Sequence, residues 1–348
     1  MTPLNFTQTE PPRSYFRPRP DLYDFQAVDE GLSNWINGVL DQGKIECPAE
    51  GFYRLENVWA YEAKYVLQDS EWIDETVIDF LARDQLREVL LPIIAQDTVE
   101  WMPSDHRIDV LYAKAGAVNW GHVLTDMAPK LVNLAKADLG PVRLHVPLES
   151  ARFAEFLSEI AWALGIDAEI KIGRTAELMR FQRCIFLSPV AKHNTRKSPS
   201  LLTIRDTALK LYGQTGARRI FVRRPANEQR SIVNSEAVEA LFTRRGFEVV
   251  HPAMSPAEQV ALFSQARLIA GPLGAGLSNL IFAPNDAEIL MIDPGLADFF
   301  FWDAAALIGQ RFHWHFAGPA MAYNQVLASS PFNVDEQILE ATLKQIGW

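Results

Sequence analysis

The residues best able to do chemistry fall in three short stretches. The first is GPLGAGLSNLIF, Gly271 to Phe282, where an apolar run gives way to a helix-like one. Gly274 and Gly276 let a backbone approach a ligand closely, and N–H groups at a helix start attract phosphate, so a diphosphate suits this turn. The alternative is that the glycines only let a strand and a helix pack tightly. A nicotinamide cofactor fits less well. The spacing is Gly-x-x-Gly-x-Gly, the reverse of the dinucleotide fingerprint, and it follows the third strand of its domain rather than the first.

The second stretch is RRIFVRRPANEQR, in which Arg223, Arg224 and Arg230 surround the end of a strand-like run. Strand ends and glycine turns of one parallel sheet share a crevice, so these guanidiniums could neutralise a leaving diphosphate. For any single one of them the competing reading is a solvated surface charge. The third stretch, GAVNWGHVLTDMAPKL, holds Asn119, His122 and Asp126. A helix beginning near Asn119 puts all three on one face, and an imidazole beside a carboxylate can take a proton from a hydroxyl. Spacing alone favours the plainer reading of an N-cap Asn, a partly buried His and a surface Asp.

Other chemistry finds little support. His313 and His315 share a strand face without a third ligand, which makes them packing residues. No Asp-x-Asp, Gly-x-Ser-x-Gly or His-Glu-x-x-His motif occurs. A metal-independent mechanism is the expectation.

The elements that must position these residues alternate. Apolar runs begin at Val58, Ile108, Val142, Ala168 and Cys184, and helical patterns run from Glu71 to Leu91 and from Ala151 to a stop at Gly165. Strands alternating with helices imply parallel pairing and an α/β layer fold. The polar segment SPVAKHNTRKSPS, Ser188 to Ser200, reads as an interdomain linker. Beyond it come a strand from Arg218, a helix capped by Asn234 or Ser235 and ended by Gly246, and a strand from Phe247. A capping box at Ser255 and Glu258 opens the next helix, and further strands flank the glycine turn. That order is a doubly wound, Rossmann-like domain, which binds ligands outside the C-terminal strand ends.

At 348 residues the chain is long enough for about two domains. The expected division is an extended arm over 1–20, an N-terminal Rossmann-like domain over 21–195 and a C-terminal Rossmann-like domain over 196–348. A net charge of −10 argues against a nucleic-acid partner. Two cysteines, Cys47 and Cys184, offer no disulfide framework, so a reducing, cytoplasmic setting fits. The N-terminus has no apolar signal core, and the apolar stretch from Leu268 to Asn285 is broken by glycines and a proline, unlike a membrane helix. Any membrane contact is expected to be peripheral, at the inner face, through Arg13, Arg17 and Arg19 of the arm, with solvated charge as the alternative.

Taken together, the segments resemble glycosyltransferase family 61, including bacterial members of capsular polysaccharide synthesis. NWGHVLTDMAPKL resembles the family's Asn-x-x-His-x-x-x-Asp segment, and RIFVRRPANEQRSIVN places Arg224, Arg230 and Asn234 at its Arg, Arg and Asn positions. The block from Phe247 to Pro284 is the longest match, and the resemblance spans residues 107 to 293. It implies a GT-B-like arrangement of two Rossmann-like domains and an inverting transfer of a hexosyl or pentosyl group. The donor would be a nucleotide sugar, the acceptor a glycan or lipid-linked glycan, with no further cofactor. The donor-binding set carried over is Arg224, Arg230, Asn234, Leu273, Gly274, Ala275, Gly276 and Asn279. On the acceptor side Asn119 is carried over, with Asp126 as the base and His122 orienting it or sharing its proton.

Two positions depart from the pattern. Family members usually read Gly-x-His-Gly-Ala where this chain has Gly271-Pro272-Leu273-Gly274-Ala275, and Met291, with Asp293 two residues on, stands where the family tends to place Glu. The rival reading is therefore a catalytically degenerate nucleotide-sugar-binding protein, with a nicotinamide-dependent enzyme third.

Overall fold

The computed structural model describes residues 5–77, 82–114, 116, 118–251, 253–321 and 325–348. The remaining residues, which include parts of the arm, of the helix expected from Glu71 and of the GAVNW segment, lie outside this description. Along the chain the strands are β1 (Asn5–Glu10), β2 (Arg13–Phe16), β3 (Asp21–Tyr23), β4 (Lys44–Cys47), β5 (Glu50–Tyr61), β6 (Tyr65–Gln68), β7 (Glu71–Trp72) and β8 (Ile108–Leu111). They continue as β9 (Val142–Val146), β10 (Ala168–Ile172), β11 (Leu178–Leu187), β12 (Arg218–Val222), β13 (Glu248–Val250), β14 (Ala266–Pro272), β15 (Glu288–Asp293) and β16 (Arg311–Phe316). The chain is α/β and divides into two compact units, one of Met1–Arg13 with Cys47–Lys192, the other of Ser14–Glu46 with His193–Trp348.

These units differ from the expected division at residues 20 and 195. Residues 14–46 group with the C-terminal half because β3 adds to its sheet, pairing parallel with β16. The arm is not a loose extension either. β1 pairs antiparallel with β5 in the first unit. Arg17, read as a membrane-facing or solvated charge, is instead 1% exposed, donating from Nη1 to Asp303 at 2.5 Å and lying 4.2 Å above the Trp302 ring. Arg13 pairs with Glu10 and Glu50, and Arg19 with Asp41. No helix among the described residues is long and apolar enough to cross a membrane.

The first unit is built on an eight-stranded sheet in the order β10-β9-β8-β11-β5-β6-β7, with β1 also on β5. Parallel pairing, expected throughout, holds only for β8 to β11. From β5 onward the sheet is antiparallel; Glu62 and Ala63 take positive φ and turn β5 straight back into β6, and Asp69 and Ser70 do the same between β6 and β7. The helix expected from Glu71 starts late. Trp72 goes into β7, where its ring packs edge-on to Tyr65 and its Nε1 donates to Arg83 O, and the α-helix runs only from Arg83 to Ala95. The core here gathers Leu55, Val58, Val66, Leu111 and Phe181.

The second unit holds a six-stranded, wholly parallel sheet in the order β13-β12-β14-β15-β16-β3. Helices Ser235–Thr243, Pro256–Phe263 and Phe300–Ile308 and a 3₁₀ helix, Ala275–Phe282, connect β12 to β16 in turn. The capping box forms as expected, with Ser255 Oγ accepting from Glu258 N and the Glu258 carboxylate accepting from Ser255 N. Strands such as β15 are apolar on both faces, since Ile289, Leu290, Met291 and Ile292 are all fully buried, as a sheet covered on both sides requires. From β12 the chain steps outward to β13, then returns past β12 to β14. The direction of winding therefore reverses between β12 and β14, and ligands of open parallel sheets bind outside the C-terminal strand ends at such a point.

Candidate functional site

In the second unit, the residues around that switch point are Arg224, just beyond β12, and the turn after β14. Arg224 Nη1 donates to Leu273 O at 3.2 Å. A β-carbon built on Gly274 would lie 1.8 Å from the same nitrogen, so glycine here makes room for the guanidinium as much as for any ligand. Leu277 N bonds to Gly274 O at 2.9 Å, the first bond of the 3₁₀ helix, which leaves Ala275 and Gly276 at a helix start with amides ahead of that ladder. Both residues are partly exposed.

Arg230 reaches the same neighbourhood from the loop before helix Ser235–Thr243. It holds a positive φ of 57°, costly for a residue with a β-carbon, and donates from Nη1 to Ala328 O at 2.6 Å. Burial pushes the Arg224 guanidinium down from the ordinary arginine range; the Arg230 charge adds to this and Glu228 opposes it. Among the described residues, the Nε atoms of Arg224 and Arg230 are both buried with no hydrogen-bond partner. Two like charges that act on each other, each with a buried Nε unpaired among the described residues, form a pair that an anion would relieve.

The other donor-side residues are placed differently from the expectation. The Leu273 side chain is only 3% exposed, so it contributes its carbonyl and core packing rather than a surface for a ligand. Asn279 is fully buried and ties the 3₁₀ helix to its neighbour, donating from Nδ2 to Gln259 Oε1 and Gly276 O. Asn234 sits at the N-cap of helix Ser235–Thr243 but does not cap it with its side chain; its Nδ2 donates to Val334 O and its Oδ1 accepts from Val334 N. Arg223 turns to Glu239 at 3.1 Å. Met291 is core, and Asp293 accepts from Gly295 N, Leu296 N and Trp314 Nε1.

In the first unit, His122 and Asp126 do meet. Asn119 opens the helix, its Oδ1 accepting from Gly121 N at 2.8 Å, so its side chain acts as a cap. One turn of α-helix, Trp120–His122, widens into a π turn over Val123–Met127, a local irregularity often found at functional sites. Across it His122 Nδ1 lies 2.9 Å from Asp126 Oδ2. Asp126 is 4% exposed, against 22% for the His122 side chain, so the imidazole is the more accessible partner. Gly116, at φ +79°, comes close to the ring; a β-carbon there would sit 3.4 Å from His122 Cδ2.

Three residues missed by the sequence reading complete this cluster. Lys114 Nζ donates to Asp126 Oδ1 at 2.9 Å, and Thr125 Oγ1 donates to Asp126 Oδ2 at 2.9 Å. Lys130 is buried and donates to Ala113 O; burial pushes it down to about 8, with Asp126 opposing and Lys114 reinforcing the shift. A signal was present, since His122, Asp126 and Lys130 recur every fourth residue and Lys114 follows the apolar run from Ile108 directly. A cavity of about 30 Å³ beside Asp126, lined also by Glu75 and Thr76, has room for a water or two.

Among the described residues no group of three or more His, Cys, Asp and Glu is placed to hold a metal. No curated protein matches the chain. Residues 120–290, a stretch that begins at the Trp120 helix turn and ends within β15, match the family described as Glycosyltransferase 61, and this similarity supports a glycosyltransferase.

Proposed function

We propose that this protein is an inverting glycosyltransferase acting in polysaccharide synthesis. It moves a hexose or pentose from a nucleotide sugar to a hydroxyl of a glycan or lipid-linked glycan. The framework is GT-B-like, with two Rossmann-like domains, no metal or organic cofactor, and a cytoplasmic location free or at the inner membrane face. One observation carries the reading: a single family-matched stretch, 120–290, contains the His122–Asp126 pair and the Arg224, Arg230 and Gly274 cluster at a sheet switch point.

The second unit would bind the donor diphosphate. Arg224 and Arg230 supply charge-assisted hydrogen bonds, and the amides at Ala275 and Gly276 supply a helix start, so negative charge gathering on the leaving group meets preorganised donors. The first unit would act on the acceptor. Asp126 was the expected base, with His122 orienting it; the geometry favours the reverse. A carboxylate that is buried and already accepts from Lys114 and Thr125 suits holding an imidazole, whereas the more exposed ring suits meeting a hydroxyl.

A catalytically degenerate nucleotide-sugar-binding protein is the second reading, supported by Leu273, whose buried side chain gives the turn no polar group. The test is calorimetry against a panel of nucleotides and nucleotide sugars, followed by hydrolysis and transfer assays on whatever binds. Nucleoside diphosphate binding with turnover supports the transferase, and binding without turnover across an acceptor screen supports the second reading. No binding by the folded protein overturns both.

A further inference from the structure

Among the described residues, side chains from two different segments meet Asp126. Thr125 and His122 belong to the helix turn itself, whereas Lys114 comes from the segment that follows β8. Its contact to Oδ1 leaves Oδ2 to Thr125 and to the Nδ1 edge of the imidazole, so the two carboxylate oxygens have separate duties. The single Thr125 hydroxyl proton is shared between Asp126 Oδ2 at 2.9 Å and Gly121 O at 3.0 Å. Among the described residues, the other charged groups around the carboxylate are Lys130, from helix Lys130–Ala137, and Glu75, from the 3₁₀ turn Asp74–Thr76.

We propose that Lys114 is a positioning residue for the His122 base. It pairs with the Asp126 anion, so that the carboxylate orients the imidazole without competing for the acceptor's proton. This rests on the reading of His122 as the base. In the transfer, the acceptor O–H gives its proton to His122 while its oxygen forms a bond to the anomeric carbon. The bond from that carbon to the diphosphate breaks, and its electron pair leaves with the diphosphate. Asp126 then stabilises the imidazolium, and Lys114 exchanges no proton.

The test is an NMR titration of the His122 ring in the full chain, assigned by its loss in His122→Gln and compared with Lys114→Met and Lys114→Arg. Removing a cation that bonds the partner carboxylate should raise the His122 midpoint by about one pH unit relative to wild type, and Lys114→Arg should restore it to within a few tenths. Lys114→Gln gives a second neutral variant should the Met protein fold poorly. A midpoint that stays put or falls in folded neutral variants overturns the role of Lys114 alone. Wild-type turnover in His122→Gln, with the panel-selected nucleotide sugar, overturns the base reading and this proposal with it.

Discussion

Arg224 lies so close over Gly274 that the guanidinium Nη1 occupies the place where a β-carbon would stand, 1.8 Å from its ideal position. The glycine turn and the arginine are therefore one device, because neither can keep its position if the other changes size. Gly274→Ala should displace Arg224 from Leu273 O while leaving the apolar strands of the sheet intact. With one charge-assisted hydrogen bond worth ~1.5–3 kcal/mol, nucleoside diphosphate affinity should fall by ~10- to 100-fold. Calorimetry beside a thermal melt checks this, and unchanged affinity in a folded variant would remove Arg224 from the donor site.

Arg230 offers a test that separates backbone strain from ligand contact. At φ +57° its backbone favours glycine, so Arg230→Gly should be more stable than Arg230→Ala by ~1 kcal/mol. Both should bind a nucleoside diphosphate more weakly than wild type, with the monophosphate less affected. If both variants bind as wild type does, the strained arginine serves only its contact with Ala328 O.

For the base, His122→Gln should lower turnover by ~10²- to 10⁴-fold while nucleotide affinity stays nearly unchanged. Asp126→Asn should also be impaired, since an amide in its place no longer stabilises the imidazolium and presents a donor to Lys114 or to the ring. Greater loss in Asp126→Asn than in His122→Gln would return the base role to the carboxylate.

The second unit was legible where the chain writes its structure in local signals. Ser255 with Glu258 announces a helix start, Gly246 at φ +77° a helix end, and the run EILMID a strand buried on both faces. What local pattern could not supply was the partner of each polar group. Arg17 and Asp303 are 286 residues apart, and nothing near Arg17 foretells a buried carboxylate. Asn234 looks like a cap by type and place, yet Val334, 100 residues on, takes both ends of its amide. Leu273 was read through the turn it occupies, but burial is a property of the packed sheet. In the first unit, alternation of strand and helix suggested parallel order, whereas β5 to β7 depend on two tight turns, at Glu62 and Ala63 and at Asp69 and Ser70, neither of which carries a glycine.

The last prediction concerns two buried groups in the second unit whose pH dependences oppose each other. Burial pushes Asp293 up from 3.8 to about 6, despite the hydrogen bonds from Gly295, Leu296 and Trp314. Burial pushes His315, which meets Thr342 Oγ1 at 3.1 Å, down from 6.5 to about 4, with Asp335 opposing. Between 3.8 and 6 the folded chain holds a proton on Asp293 that the unfolded chain has released, so this contribution to stability is lost as pH rises. Between 4 and 6.5 the unfolded chain holds a proton on His315 that the folded chain has released, so this contribution grows as pH rises. Each amounts to at most ~3–4 kcal/mol at about 1.4 kcal/mol per pH unit, and in the wild type they largely cancel. Single variants should unmask them. Asp293→Asn, whose amide oxygen can still accept from the Gly295 and Leu296 amides, should gain stability relative to wild type as pH goes from 4 to 6.5. His315→Gln should lose stability over the same range, and the double variant should again track wild type. Urea unfolding at closely spaced pH values measures all four proteins, and parallel stability profiles for wild type and both single variants would show that neither group titrates in this window.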